Sequence, residues 1–150
     1  MSIVNFEVKK FNEIDNETLH NIFLIRSEVF IIEQNCAYQD IDGKDIKCIH
    51  IIGKIKEEII AYSRIMNLSN EFCSIGRVLV KKASRKKGLG TKLMKKTIEE
   101  ATKKFKKNKI QISAQKYLKN FYTNLGFKHT GKSYLEDGIP HIEMISNLKF

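Results

Sequence analysis

A chain of 150 residues, 42% of them hydrophobic and 29% charged, can bury about 70% of its unfolded surface and reads as one globular domain over residues 1–150. Its formal charge of +10 comes from 23 Lys and only 4 Arg spread along the chain, which argues against base-reading contact with nucleic acid. No apolar run nears the roughly 20 residues of a membrane span, no leader is visible, and Cys36, Cys48 and Cys73 form no CxxC pair, so a cytoplasmic protein with free thiols and no metal is expected.

In chain order, a strand is predicted over residues 2–9, where Ile3, Phe6 and Val8 alternate loosely. Asp15 or Asn16 caps a helix whose apolar positions Leu19, Ile22, Phe23, Ile25, Val29 and Phe30 follow a helical period. After Ile32 the stretch from Glu33 to Asp45 turns polar and, within a basic protein, acidic. Residues 46–54 and 58–67 read as an antiparallel hairpin about Lys56-Glu57-Glu58, and residues 75–80 as a further strand. The best-defined helix covers residues 88–107: Leu89, Leu93, Met94, Thr97, Ile98, Ala101 and Phe105 share one half of its circumference, with lysines and Glu99 opposite. A short buried strand (110–114), a short helix closed by Gly126 (116–125) and two last strands (127–134 and 141–145) around the Glu136-Asp137-Gly138-Ile139-Pro140 turn complete the chain. The alternation gives an α/β (mixed α+β) fold with a sheet of six or seven strands and three or four helices.

Chemistry concentrates where the strand Val78-Leu79-Val80 leads through the basic loop Arg85-Lys86-Lys87-Gly88-Leu89-Gly90 into the helix opened by Thr91. Unpaired N–H groups and the positive end of the helix dipole converge there, which suits a phosphorylated cofactor. A dinucleotide fingerprint fails because Leu93 stands where GxGxxG needs its third glycine, and no GxxxxGK[ST] loop is present.

The Arg85 to Gly90 hexapeptide resembles the [RQ]xxGxG/A motif of the GNAT superfamily of acetyl-CoA-dependent N-acetyltransferases. Ile110-Gln111-Ile112-Ser113-Ala114-Gln115, followed by Phe121-Tyr122-Thr123-Asn124-Leu125-Gly126-Phe127, is similar to that family's second cofactor motif. The segments Arg26 to Cys36, Tyr38 to Asp45 and Glu136 to Met144 look like its ElaA-type branch, so the resemblance runs from about residue 20 to residue 144. It implies the acyl-CoA N-acyltransferase fold, with a mostly antiparallel sheet flanked by helices, and acetyl-CoA as co-substrate. By resemblance the backbones of Val78, Leu79 and Val80 receive the pantetheine arm, with the Val78 N–H on the thioester carbonyl. Lys86, Lys87, Gly88, Leu89, Gly90 and Thr91, beside Arg85, take the pyrophosphate. Gln115 stands where many relatives carry an asparagine on the arm, and Tyr122 matches the acid that protonates the departing thiolate.

Four residues are candidates for the base that deprotonates the amine: Glu33, His50, His141 and Glu143. Glu33 and His141 come first because both lie in the branch-type segments. Arg64 and Arg77 are available to orient an acidic group. The acidic stretch of Glu33, Asp40 and Asp42, with Asp137, is expected to attract a cationic acceptor. The acceptor is an amine of unspecified identity, and pairing into a homodimer through the C-terminal strands is implied by the resemblance. A basic nucleic-acid-associated protein and a CoA-binding sensor without turnover are the alternative readings.

Overall fold

The computed structural model describes residues 3–106 and 109–147, so Ser2 and Lys107, the outer ends of two predicted elements, lie outside the described residues. Among these residues seven strands form one sheet: β1 (Asn5–Lys10), β2 (Ile49–Ile55), β3 (Glu58–Asn67), β4 (Phe72–Val80), β5 (Lys109–Gln115), β6 (Lys128–Glu136) and β7 (Ile139–Asn147). Their order is β1-β2-β3-β4-β5-β7-β6. Every neighbouring pair is antiparallel except β4 and β5, which run parallel and pair only at Phe72–Lys109, Cys73–Ile110 and Ser74–Gln111. Beyond Ser74 and Gln111 the two strands diverge, and the sheet opens into a fork.

Among the described residues three α-helices flank the sheet: α1 (Asn16–Arg26), α2 (Leu89–Phe105) and α3 (Lys119–Thr123). The Asp15 side chain accepts the Thr18 N–H at 2.7 Å and caps α1. On one face, Ile22 and Ile25 of α1 pack with Ile52, Tyr62 and Leu79. On the other, Leu93, Met94 and Ala101 of α2 pack with Ile65, Ile75 and Ile112, and Tyr122 and Phe127 join the same cluster. The stripe read from α2 is thus its buried face.

Three local departures from the expected elements shape the fork and its surroundings. The helix predicted to run on through Phe30 changes after Arg26 into a π-helix at Ser27–Glu33; its wider turn keeps Val29 in the core and brings Phe30 and Glu33 round to the fork. The strand expected from residue 46 begins only at Ile49, because a short 3-10 turn at Asp45–Lys47 tucks Asp45 beneath two arginines.

The third departure is a bulge in β4. The β3–β4 register shifts by one residue between the pairs Tyr62–Leu79 and Arg64–Gly76, and Arg77 sits at φ +51. One extra residue flips every later side chain to the other face. Cys73 and Ile75 before the bulge, and Val78 and Val80 after it, therefore all face α2, while Leu79 faces α1.

Candidate active site

The fork holds a cleft of about 790 Å³, inside the range usual for small-ligand sites. β4 forms one wall from Ser74 to Val80, and β5 forms the other with Ile112, Ser113 and Gln115. The loop into α2 closes one end and the β6–β7 turn the other.

At the first end, Arg85, Lys86, Gly88, Leu89, Gly90 and Thr91 line the cleft, whereas Lys87 does not. The helical ladder of α2 starts with the Lys92 N–H on the Gly88 carbonyl at 3.2 Å, so the amides before it have no partner within the helix. Gly88, at φ +74, makes the left-handed turn that aims them into the opening. Lys86 takes the same region at φ +65. Leu79 is a core residue of the α1 face that also lines the cleft, and Val78 and Val80 border it from the α2 side.

Tyr122 reaches the cleft from α3, held edge-on between Phe121 and Phe127 at ring separations of 5.0 and 6.0 Å. Burial pushes its hydroxyl up to about 12, so the phenol keeps its proton at neutral pH. Among the described residues no hydrogen-bond partner meets that hydroxyl.

Across the cleft runs the end of the π-helix with the residues after it, bonded to three separate elements. Glu33 pairs with Arg85 through both oxygens, one at 3.0 Å. Gln34 accepts from the Gln115 side chain at 3.1 Å, and the Cys36 thiol donates to the Asp137 carbonyl at 3.3 Å. The hydrogen bond from Arg85 holds the Glu33 carboxyl below its ordinary range, which makes Glu33 a weak base in this arrangement. Gln34 and Cys36 fell inside the branch-type segment, but nothing in their spacing marked them as bridges.

At the far end, His141 is 7% exposed and stacks on Tyr134. Its Nδ1 lies 2.7 Å from the Ile139 carbonyl and so carries a proton, which leaves Nε2, 3.3 Å from the Glu136 carboxylate, to accept another. Glu136 also meets Ser113 at 3.3 Å. Glu136 belonged to the turn segment in the sequence without being singled out; its alternation with His141 across a hairpin was the available signal.

Two base candidates fall outside the cleft. Glu143 bonds Gln111 at 3.0 Å and Thr130 at 3.2 Å, away from the opening. His50 is buried, with Nε2 2.9 Å from the Asp45 carbonyl and Nδ1 2.7 Å from the Tyr62 hydroxyl. The carbonyl requires Nε2–H, so Nδ1 accepts from Tyr62 and the ring is neutral. Burial keeps His50 below its ordinary value. The unfolded chain takes up that proton near pH 6.5 and the folded one does not, so the contribution is whole above pH 6.5 and lost as pH falls, by up to about 1.4 kcal/mol per pH unit. Urea unfolding between about pH 7.5 and pH 5.5 should show this slope, and His50→Gln should flatten it; an unchanged slope would exclude His50 as its source.

The expected attraction by Asp40 and Asp42 is also corrected, because every carboxylate there is matched by an arginine. Arg77 Nε lies 2.8 Å from Asp40, Arg26 Nε 2.8 Å from the other oxygen of Asp40, and Arg26 Nη1 2.7 Å from Asp45. Arg64 bonds Asp45 at 2.9 Å and Asp42 at 2.6 Å, and Asp42 returns to Arg77 at 3.4 Å. Three arginines and three aspartates thus close a ring, with Arg26 wholly buried. Arg64 and Arg77, foreseen as partners of an acid, find their acids inside the protein.

The profile of the acetyltransferase (GNAT) domain family matches residues 12–148. A UPF0039 protein of Schizosaccharomyces pombe is 40% identical over 146 residues, covering 96% of this chain and 97% of that one. Protein ElaA of Escherichia coli is 40% identical over 137 residues, 89% of this chain and 90% of that one. The crystal structure of Escherichia coli ElaA superimposes with a TM-score of 0.91 at 37% identity, over 96% of this chain and 99% of that one. An acyl-CoA N-acyltransferase from Pseudomonas aeruginosa does so with a TM-score of 0.87 at 31% identity, over 95% and 99%.

Proposed function

The chain belongs to the GNAT acetyltransferase family, in its ElaA-like branch, and from that premise we propose that it is an N-acetyltransferase passing the acetyl group of acetyl-CoA to a primary amine. The observation that carries the reading is the meeting, in one cleft, of the free amides of α2, the β4 edge after the bulge, and the protonated Tyr122. The similarity to an acyl-CoA N-acyltransferase supports a CoA thioester as the donor. Cys36 and Cys48 are free thiols, which fits a cytoplasmic enzyme.

Bound there, acetyl-CoA would supply an acyl carbon activated as a thioester. The amides from Gly88 to Thr91, with Lys86 and Arg85, hold its phosphates, which requires Arg85 to share itself between Glu33 and the ligand. Val78 and Val80 offer main-chain groups to the amide-bearing arm as a strand edge would, Gln115 reaches it from β5, and the Val78 N–H polarises the acyl carbonyl. An amine of ordinary pKa is free base in only about one molecule in 2,500 at pH 7. His141 Nε2 takes the proton that the amine gives up as the C–N bond forms, with Glu136 stabilising the resulting imidazolium. Tyr122 gives its proton to the thiolate sulfur as the C–S bond breaks.

A panel of amines assayed for CoA release, alongside thermal shift with acetyl-CoA, tests the reading. Turnover with at least one amine is expected. A thermal shift without turnover would indicate the sensor, and salt-sensitive DNA binding with no shift the nucleic-acid protein.

Gly90→Ala isolates the phosphate loop. A methyl there meets the Phe121 ring at 3.5 Å, an ordinary contact, and alanine favours the helix by up to about 1 kcal/mol. Stability should hold or rise while the dissociation constant for CoA rises about tenfold through crowding of the amides. Unchanged affinity in calorimetry would remove Gly90 from the phosphate site.

A further inference from the structure

The ring of three arginines and three aspartates occupies much of the branch-type sequence, yet none of its members enters the proposed chemistry. They come from α1 (Arg26), residues 40–45, β3 (Arg64) and the β4 bulge (Arg77). Arg26, Asp40, Asp45 and Arg64 are each at most 5% exposed. Ion pairs buried this deeply add little net stability over apolar packing, so geometric specificity is the better reason for assembling six ionised groups.

The geometry in question is next door. Arg77 is a non-glycine residue in the left-handed region, a conformation that persists only where its surroundings hold it. Its Nη2 donates to the Asp40 carbonyl at 3.0 Å and to Asp42 at 3.4 Å, its Nε faces the Asp40 carboxylate at 2.8 Å as a charge contact without a hydrogen bond, and the guanidinium lies 5.5 Å from the Tyr38 ring centre. Asp40 cannot give way, because Arg26 binds its other carboxylate oxygen at 2.8 Å and its carbonyl at 3.0 Å.

We infer that the ring is a positioning device: by gripping the Arg77 side chain it holds the left-handed kink of β4, and the kink aims the next amide, that of Val78, into the cleft. Arg77 is therefore a positioning residue for the acyl carbonyl, and the branch-type arginines and aspartates are its anchor. The inference rests on the reading of the Val78 N–H as the group that polarises that carbonyl.

Comparing Arg77→Ala with Arg77→Gly separates holding the kink from merely contributing charge. Both variants lose the anchor, but glycine adopts a positive φ without strain and alanine does not. Arg77→Ala should lower kcat about 10²-fold, the scale of losing one oxyanion donor, with the change falling on kcat more than on KM for acetyl-CoA. Arg77→Gly should recover most of that loss. In a ¹H–¹⁵N spectrum the Val78 amide should move in Arg77→Ala and return in Arg77→Gly. Equal losses in both variants, or an Arg77→Ala enzyme as fast as the parent, would overturn the inference. Should Arg77→Ala fail to fold, Asp42→Asn loosens the longest link of the ring and must displace the same amide. A parent without turnover would defeat the proposed function, and the Val78 resonance would still decide the role of the ring.

Discussion

Tyr122→Phe should lower kcat by about 10²–10⁴-fold, the usual worth of a positioned general acid, and leave the fold almost untouched. The substitution is clean because among the described residues no partner meets the Tyr122 hydroxyl, while its ring is fixed edge-on by Phe121 and Phe127. Phenylalanine keeps both ring contacts and deletes only the proton. With burial pushing the phenol up to about 12, the acid form is fully populated across the neutral range, so its loss should be felt equally between about pH 6 and pH 9. Steady-state rates with an active amine, with melting curves as a folding control, provide the measurement. A kcat within about threefold of the parent would take the acid role away from Tyr122 and leave the thiolate to depart unprotonated.

Arg26→Met is the expected structural catastrophe of the molecule. Arg26 is wholly buried, bonds Asp40 and Asp45, and lies 5.2 and 5.7 Å from the Phe23 and Tyr62 ring centres. Removing one partner from a buried ion pair costs about 3–5 kcal/mol, because the charge left behind keeps its desolvation penalty. In a chain of this size that lowers Tm by roughly 6–20 °C. The sign of the pH dependence follows from the aspartates. Burial alone would raise the Asp45 carboxyl, but hydrogen bonds and charge from Arg26 and then Arg64 hold it below its ordinary value. Asp42 is likewise held well below, by Arg64 against its own burial. Groups depressed in this way stabilise fully above the unfolded value near 3.9 and lose their contribution as pH falls past it. The deficit of Arg26→Met should therefore be complete at pH 7 and shrink below about pH 4. Thermal melts at the two pH values read both parts, and a Tm close to that of the parent at pH 7 would show the ring to be dispensable.

What the sequence disclosed was whatever local pattern encodes. The apolar stripe of α2, the Asp15 cap, the hairpin about Lys56 and the glycines before α2 are short-range signals, and each element formed where its pattern lay. Motif likeness carried the family. The charge ring stayed hidden because its contacts join residues 14 to 37 positions apart; a polar, acidic stretch looks the same whether water or arginine will answer it. The bulge was hidden for another reason: Ile75 to Val80 reads as an ordinary β run, and nothing in Arg77 itself foretells a positive φ. His50 and His141 show the limit for single residues, since only the fold makes one a core group and puts the other in the cleft.

The brief pairing of β4 with β5 bears on how the molecule holds together. β2, β3 and β4 form successive hairpins, with β1 laid beside β2 at the end of the long stretch 11–48, and β5, β6 and β7 make a second antiparallel group. The two groups meet at three residue pairs, under the cover of α2. The sheet thus has a fracture line, where partial opening breaks few hydrogen bonds. Glu33, Gln34 and Cys36 suture that line from one side to the other. A ligand filling the fork is a further stitch, and because it grips both units its binding free energy adds to the stability of the whole.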